Sequence, residues 1–169
     1  MPQVNSHLIR QFPGDEWVCK SADKIDQGEP EESRVGEEVL NAFTGPGIPV
    51  HELRLKKFTP VMLLRNMDPP NGLCNGTRLL VLDVKDLRVL YAQILTGAHA
   101  GNIVKIPRIR LSAPDGEFPF KWSRQQFPVR VSFAMTINKA QGQTLGRIGV
   151  FLRSQCFAHG QLYVAASRV

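Results

Sequence analysis

The 169-residue sequence predicts an α/β fold in which a small β-barrel is inserted beside part of a parallel-sheet domain. Two patterns along the chain support this prediction. The middle of the chain holds short apolar or alternating runs with glycine-rich turns, which are typical of a barrel or a sandwich. After Phe127 the order becomes strand, helix-like link, strand and helix, which is typical of a parallel sheet.

The amino-terminal region is acidic and rich in turn residues. Residues 14–38 are mostly polar, and the run "DKIDQGEPEESRVGEE" within them predicts a surface loop or a disordered excursion. The overlapping run "EEVLNAF", at 37–43, predicts a short helix. That helix is expected to end at the closely spaced glycines and prolines of "TGPGIP".

Extended chain is predicted from residue 52 onward. In "ELRLKKFTPVMLLRN", Pro60 confines the preceding Thr59 to the β region and so disfavours a continuous helix. Three further runs, "GTRLLVLDV", "RVLYAQIL" and "NIVKIPRIRL", are short, apolar or alternating, and separated by turn residues. We therefore expect a compact barrel over about residues 55–109.

The last part of the chain carries the alternating α/β pattern. We predict a strand in "VRVSFAMTI", a loop or helix start in "KAQGQTL" and a second buried strand in "RIGVFL". The final run, "GQLYVAASRV", predicts a helix whose inward side chains are Tyr163, Val164 and Ala166.

The charge is distributed unevenly between the two ends of the chain. Residues 1–50 hold four basic and nine acidic residues, a net charge of −5, whereas residues 51–169 hold seventeen basic and six acidic residues, a net charge of +11. A basic segment of this size favours a polyanionic partner, with nucleic acid first. The alternative is a solvated basic face without a ligand.

Composition excludes several other classes of protein. No run of eighteen apolar residues and no basic-then-apolar leader is present, so neither a membrane span nor a secretory signal is expected. Cys19, Cys74 and Cys156 are far apart and form no C-x-x-C pair, so neither a disulfide framework nor a zinc site is indicated.

The run "TINKAQGQTL" predicts a loop that binds a ligand. Glycine permits a close backbone approach, and loops at the carboxyl ends of parallel strands are common ligand sites. Backbone amides near a helix start also suit phosphate oxygens. The alternative is an ordinary strand-to-helix connection capped by Asn138. Polar side chains surround Gly142 in this loop: Thr136, Asn138, Lys139, Gln141, Gln143 and Thr144.

Three further side chains are weaker candidates. Arg168 would lie at the end of the last helix, where it could reach a phosphate, although a terminal arginine is more often simply solvated. Phe120 and Trp122 could stack on nucleic-acid bases, with core packing as the alternative for both.

Taken together, these motifs resemble a known family. "FPVRVSFAMTINKAQGQTL" followed by "HGQLYVAASRV" is similar to the last two motifs of superfamily-one DNA helicases. The closest resemblance is to the petite-integration-frequency (Pif) helicases, and among them to the copies carried by Helitron-type transposons. "EVLNAFTGPGIPVHELRLKKFTPVMLLRNMDPPNGLCNGTRLLVLDV" resembles the segment that leads into the family's inserted SH3-like barrel.

The resemblance covers about residues 10–169 and implies a division of the chain. Residues 1–36 would be an acidic, loop-rich remnant of the second RecA-like domain. Residues 37–120 would form the barrel-containing insert, which the family calls 2B, and residues 121–169 would carry the last two helicase motifs of the second RecA-like domain.

The resemblance also implies roles for single residues. Thr136, Asn138 and Lys139 match the loop that contacts single-stranded DNA, although many members have histidine at the position of Asn138. Gln141, Gly142 and Gln143 match positions near the bound nucleotide. Arg168 matches the catalytic arginine that reaches the γ-phosphate, where it stabilises charge that develops during phosphoryl transfer. No metal ligand is implied in this chain.

The family hydrolyses ATP with Mg²⁺ to move 5′ to 3′ along single-stranded DNA, and it implies roles in DNA repair, recombination and telomere maintenance. A nuclear location is expected, with the mitochondrion as the alternative. The sequence departs from the family, because it lacks a G-x-x-x-x-G-K-[ST] loop and a strand that ends in Asp-Glu; Asp83 is a poor substitute as a magnesium ligand.

These departures leave two hypotheses for the function. In the first, the chain is the carboxyl-terminal part of a helicase, lacks the first RecA-like domain that completes the ATP site, and is inactive alone. In the second, it is a module that binds single-stranded DNA or a protein partner without hydrolysing ATP.

Overall fold

The computed structural model describes residues 2–25, 36–45, 47–112, 120–143, 146–152 and 160–168. Four α-helices lie in these ranges: α1 (Pro2–Gln11), α2 (Glu37–Ala42), α3 (Ile137–Ala140) and α4 (Gln161–Ala166). Ten strands accompany them: β1 (Glu16–Lys20), β2 (Ala22–Ile25), β3 (Glu52–Lys56), β4 (Pro60–Leu63), β5 (Arg78–Lys85), β6 (Val89–Ile94), β7 (Ile103–Pro107), β8 (Ile109–Ser112), β9 (Trp122–Gln126) and β10 (Val129–Val131). None of the described helices is long and apolar enough to span a membrane.

The strands form three separate sheets. The largest has the order β10-β4-β5-β6-β7, a second has the order β2-β9-β8, and β1 pairs with β3 in a two-stranded ribbon. The mixture of helices and strands confirms the predicted α/β class. All strand pairs within the described residues are antiparallel, however, so the predicted parallel pairing does not form there. The strand expected to carry it, β10, lies antiparallel to β4.

The predicted strands between residues 52 and 112 are confirmed, but a closed barrel is not. In the part of the chain that the structure describes, the five-stranded sheet stays open, with β10 and β7 at its two edges. The β1–β3 ribbon contributes Cys19, Leu53 and Leu55 to the same apolar core as the inner face of this sheet. The core is therefore completed by packing of the ribbon rather than by hydrogen bonds between the edges.

Alternation along β5 and β6 builds the main core. Leu79, Val81, Leu90 and Ala92 are fully buried, while their sequence neighbours point to the opposite face. The turn between the two strands has positive φ at both Asp86 and Leu87, as a primed turn requires. Its twist matches that of the strands, which sets the register of the hairpin.

A second core joins α2 to the three-stranded sheet through Arg124. The side chain of Arg124 is fully buried and donates two hydrogen bonds to the carboxylate of Asp23, at 2.9 and 2.7 Å. It also donates to the carbonyl oxygens of Leu40, Phe43 and Pro49. One side chain therefore fixes β2, β9 and the end of α2 against one another.

Two predictions about secondary structure are wrong. Residues 23–25, the start of the predicted loop, belong to β2 instead, because their backbone groups pair with β9. Residues 147–152 form no strand, and Val150, Phe151 and Leu152 are exposed. This segment pairs with no described strand. Some of the predictions concern residues outside the described ranges, namely 26–35, Thr144 and Cys156.

The orientation predicted for α4 is also wrong. Its buried residue is Ala165, whereas Tyr163 is 74% exposed and Ala166 is exposed. The helix packs against α3, so its buried face is set by that contact rather than by a sheet beneath it.

Candidate nucleic-acid and nucleotide site

The segment that follows β10 is held by helix α1. The side-chain amide of Asn5 donates to the carbonyl oxygen of Ala134 and accepts from its N–H, both at 2.8 Å. The rings of Phe12 and Phe133 lie 5.1 Å apart. Because Asn5 takes the backbone groups that a neighbouring strand would take, the strand predicted over 129–137 ends at Val131.

Helix α3 presents the three residues that were predicted to contact DNA. Thr136 precedes the helix, and its carbonyl oxygen accepts hydrogen bonds from the N–H groups of Lys139 and Ala140. Asn138 lies inside the helix and Thr136 at its start, so Asn138 does not cap the helix as the alternative interpretation required. Thr136, Asn138 and Lys139 are all exposed, which leaves their side chains accessible to a ligand.

The residues predicted to lie near the nucleotide follow directly after α3. Gly142 has a φ of +78°, which favours glycine, and a Cβ built there would meet open space. The backbone conformation therefore explains this glycine without any close contact. Gln141 is exposed, but Gln143 donates to the carbonyl oxygens of Lys139, at 3.0 Å, and Gly76, at 3.4 Å. Gln143 thus ties the loop to the turn before β5.

Arg168 lies at the end of α4, and α4 contacts α3. The amide of Gln161 donates to the side-chain oxygen of Asn138 at 3.4 Å. The Arg168 guanidinium donates to the carbonyl oxygen of Val164 and to the hydroxyl of Ser167, at 2.9 and 2.8 Å. The structure therefore brings the predicted DNA residues and Arg168 onto two neighbouring helices. Both acceptors of these hydrogen bonds lie in α4 or directly after it.

The donor set fits phosphate contacts and does not fit a magnesium site. Lys139 and Arg168 are cations on these helices, and both can bind phosphate oxygens. Among the described residues there is no group of three or more His, Cys, Asp or Glu side chains that could hold a metal. Asp83 is exposed on β5 and accepts a hydrogen bond from the N–H of Val84.

The two aromatic candidates for base stacking belong to the core. Phe120 and Trp122 are 5% and 1% exposed, and both pack in the cluster that contains Leu40. The ring of Trp122 also lies against the Arg124 guanidinium, 5.1 Å from its centre. Neither ring is accessible to a base, so the alternative of core packing is the correct one.

Sequence reasoning missed Arg78, the first residue of β5. Its guanidinium donates to the carbonyl oxygen of Ser132 at 3.4 Å, across the segment that leads to α3. Burial lowers the pKa of this group. An arginine that begins an apolar strand is usually solvated, so no pattern in the sequence distinguishes this one. Its burial results from the path of the chain after β10.

Comparisons with known proteins match the chain to Pif1 helicases, the family that the sequence resembles. Residues 38–84 match the family model described as "DNA helicase Pif1, 2B domain". The chain is 36% identical over 166 residues to the ATP-dependent DNA helicase PIF1 of Danio rerio, which covers 98% of this chain and 24% of that relative. It is 36% identical over 118 residues to the ATP-dependent DNA helicase Pif1 of Bdellovibrio bacteriovorus, covering 70% of this chain and 25% of the relative.

Solved structures show the same likeness in three dimensions. The Pif1 helicase from Candida albicans superimposes with a TM-score of 0.67 and 28% identity, covering 98% of this chain and 40% of that structure. The Pif1 helicase from Bacteroides, in complex with ADP-AlF3 and single-stranded DNA, gives a TM-score of 0.67 and 27% identity. It covers 98% of this chain and 35% of that structure.

Proposed function

Because this chain belongs to the Pif1 family of DNA helicases, we propose that it supplies the DNA-contacting and arginine-bearing part of an ATP-dependent 5′-to-3′ helicase. It spans about a quarter of the length of the curated relatives that it matches along 98% of its own length. The proposal therefore concerns the part of the helicase activity to which these residues would contribute.

The observation that carries the proposal is the contact between α3 and α4. Exposed Thr136, Asn138 and Lys139 face solvent on α3, and Gln161 links that helix to the one that bears Arg168. A shift of α3 on binding a DNA strand would therefore be transmitted to α4 through this contact. Contact between the two elements supplies a path by which DNA binding can be coupled to nucleotide hydrolysis.

Each residue has a distinct proposed role in that coupling. Lys139 neutralises a backbone phosphate of single-stranded DNA, and Thr136 and Asn138 donate hydrogen bonds to it. Gln141 and Gly142 lie beside the nucleotide, with Gln143 holding their loop in place. Arg168 leaves its intrahelical partners to stabilise negative charge on the γ-phosphate. ATP, when bound, supplies the phosphoryl group and its Mg²⁺.

The wider biology of the family enters the proposal only for a complete protein. A Helitron-type origin, roles in DNA repair, recombination and telomere maintenance, and a nuclear location would all accompany a helicase of this kind.

The domain limits at residues 36 and 120 stay predictions. Strands β2 and β8, on either side of the first limit, both pair with β9 beyond the second.

A binding experiment separates the proposed roles. Fluorescence anisotropy with a labelled oligo-dT strand would measure the affinity of the wild type, Lys139→Ala and Arg168→Ala across a range of salt concentrations. We expect Lys139→Ala to weaken binding and to reduce the slope of log K against log salt by about 0.7, the value for one phosphate contact on a single strand. Arg168→Ala should bind as the wild type does, because its proposed target is the nucleotide.

Two results would contradict these roles. No binding by the wild type at low salt would remove the DNA-binding part of the proposal. Equal losses in Lys139→Ala and Arg168→Ala would instead indicate a diffuse basic surface without assigned roles.

The second candidate function is a module that binds single-stranded DNA without hydrolysing ATP. The net charge of +11 over residues 51–169 favours it, as does the lack of a G-x-x-x-x-G-K-[ST] loop in the sequence. Both candidates predict the same binding results. They differ in whether ATP is hydrolysed when a phosphate-binding domain is present.

A further inference from the structure

Two arginines lie in one row across the five-stranded sheet. Strand register places Arg130 of β10 opposite Met62 of β4, and Met62 opposite Arg78 of β5. Directly opposed residues project from the same face of a sheet. Two strand spacings separate the arginines, so their backbones lie about 10 Å apart. This face is opposite to the one that forms the main core, to which Leu79 and Val81 belong.

The charge on Arg78 has no compensating partner in the described part of the chain. Arg78 is half-buried, donates a single long hydrogen bond to the carbonyl oxygen of Ser132, and has no acceptor for its Nε. Burial is the cause of its lowered pKa, with no carboxylate acting in the opposite direction. A buried charge without a partner is costly, so this arrangement favours an anion that the structure does not supply.

Two other arginines that are partly or fully buried have contacts that Arg78 lacks. Arg124 pairs with Asp23. Arg108 also has no acceptor for its Nε, but it donates to the carbonyl oxygen of Lys20 and its guanidinium lies over the ring of Phe127. On the surface, Arg54 pairs with Glu16. Within the described residues, Arg78 has neither a carboxylate partner nor a cation-π contact.

Further polar atoms near Arg78 also lack partners. The hydroxyl of Ser132 and the side-chain oxygen of Gln143 are buried without a hydrogen bond. Ser132 is the residue that accepts from Arg78, and Gln143 donates to the carbonyl oxygen of Gly76, two residues before Arg78. The hydroxyl can donate to an anion, and Arg130 lies exposed on the same face.

We propose that Arg78, Arg130 and the Ser132 hydroxyl form a binding site for a backbone phosphate of single-stranded nucleic acid, separate from the contacts made by α3. A guanidinium binds a phosphate through two parallel N–H groups, and a second arginine on the same face can reach the same phosphate or the next one. The site rests on the proposed function, since it extends the path of the same DNA strand. It would link the sheet to the α3 loop through one bound strand.

The test compares three variants that each lose one positive charge. Arg78→Gln and Arg130→Gln remove the proposed contacts, and Arg54→Gln is the matched control, since that arginine is held by Glu16 on another sheet. Anisotropy with labelled oligo-dT at several salt concentrations gives affinity and slope, and circular dichroism shows that each variant is folded. We expect Arg78→Gln to bind roughly tenfold more weakly, as loss of a hydrogen bond to a charged group implies. Its salt slope should fall by about 0.7.

The outcomes distinguish this site from the proposed function. If the wild type binds and neither Arg78→Gln nor Arg130→Gln loses more affinity than Arg54→Gln, the site is rejected and DNA binding stands. If the wild type does not bind DNA, the nucleic-acid proposals fall together.

If the wild type does not bind DNA, the melting temperature in inorganic phosphate, compared with that in chloride at equal ionic strength, shows whether a phosphate site exists at all. A rise in melting temperature with phosphate that is absent in Arg78→Gln would retain the site for a free phosphate. No rise in the wild type would reject it.

Discussion

At the scale of single residues, Phe58 is held in a backbone conformation that its side chain disfavours. It has a φ of +66° in the turn between β3 and β4, although it carries a Cβ. The turn is fixed on both sides, because the N–H of Phe58 donates to the carbonyl oxygen of Val81 and the N–H of Val81 donates to that of Thr59. The ring is 51% exposed and contacts Lys57. The surrounding hydrogen bonds, rather than packing of the ring, hold this conformation.

Phe58→Gly should therefore stabilise the protein. The left-handed conformation costs a residue with a Cβ about 1–2 kcal/mol, and glycine gives back part of that gain through the greater entropy of its unfolded chain. We expect the free energy of unfolding to rise by about 0.5–1 kcal/mol in urea denaturation. Phe58→Ala is the control, since it removes the ring but keeps the strained Cβ. A loss of stability in Phe58→Gly would show that the exposed ring contributes more than the strain costs.

At the scale of elements, α1 takes the place that a neighbouring strand would have beside the segment after Val131, where β10 ends. Asn5 is buried and satisfies both backbone groups of Ala134, and the carbonyl oxygen of Phe12 at the end of α1 accepts from the ammonium of Lys56 on β3. The helix thus holds the start of the α3 loop and the β1–β3 ribbon together. The geometry of the candidate DNA loop depends on a helix more than a hundred residues earlier in the chain.

Asn5→Ala should release this loop. The substitution leaves the N–H and the carbonyl oxygen of Ala134 without their partners, which should lower the free energy of unfolding by about 1–3 kcal/mol. Hydrogen exchange should accelerate at Ala134 and through the beginning of α3. Ser6→Ala, on the exposed side of α1, is the control and should change neither quantity. Unchanged exchange at Ala134 in Asn5→Ala would contradict the role given to α1.

The sequence predicted some elements well because their patterns are local. β6 alternates strictly, β5 alternates as far as Val81, where the register shifts, and α2 lies between clear breakers, so each was placed within a few residues. The run at 147–152 is equally apolar but forms no strand, because a strand needs a pairing partner that the run itself cannot specify. The candidate DNA loop was chosen by its composition, and its binding of a ligand stays a prediction. The burial of Arg78 and the hold of Asn5 on Ala134 depend on contacts between distant segments, which no short pattern reveals.

At the scale of the whole molecule, binding and hydrolysis should be separable. The chain carries Lys139 and Arg168 on adjacent helices, but its sequence holds no phosphate-binding loop, and the described residues supply no magnesium ligand set. An arginine can stabilise charge on a γ-phosphate only if other groups position that phosphate.

The purified 169-residue chain should therefore bind DNA without hydrolysing ATP at the rate of a working motor. We expect turnover well below about one per second, the lower end of the ordinary enzyme range, in a phosphate-release assay with and without oligo-dT. Arg168→Ala serves as the control, because residual activity that it leaves unchanged comes from a contaminant. DNA-stimulated turnover of about one per second or faster, lost in Arg168→Ala, would overturn the expectation.

The contacts of the buried Arg124 also set the order in which parts of the chain can fold during synthesis. Its hydrogen-bond partners were synthesised 75 to 101 positions earlier, in β2, at the end of α2 and at Pro49. Until the ribosome has released residue 124, Asp23 has no guanidinium to pair with and β2 has no β9 to join. The β5–β6 hairpin, by contrast, is complete as soon as its own residues have emerged. The nascent chain must therefore carry β2 unpaired until β9 has been synthesised, and only then can that sheet close.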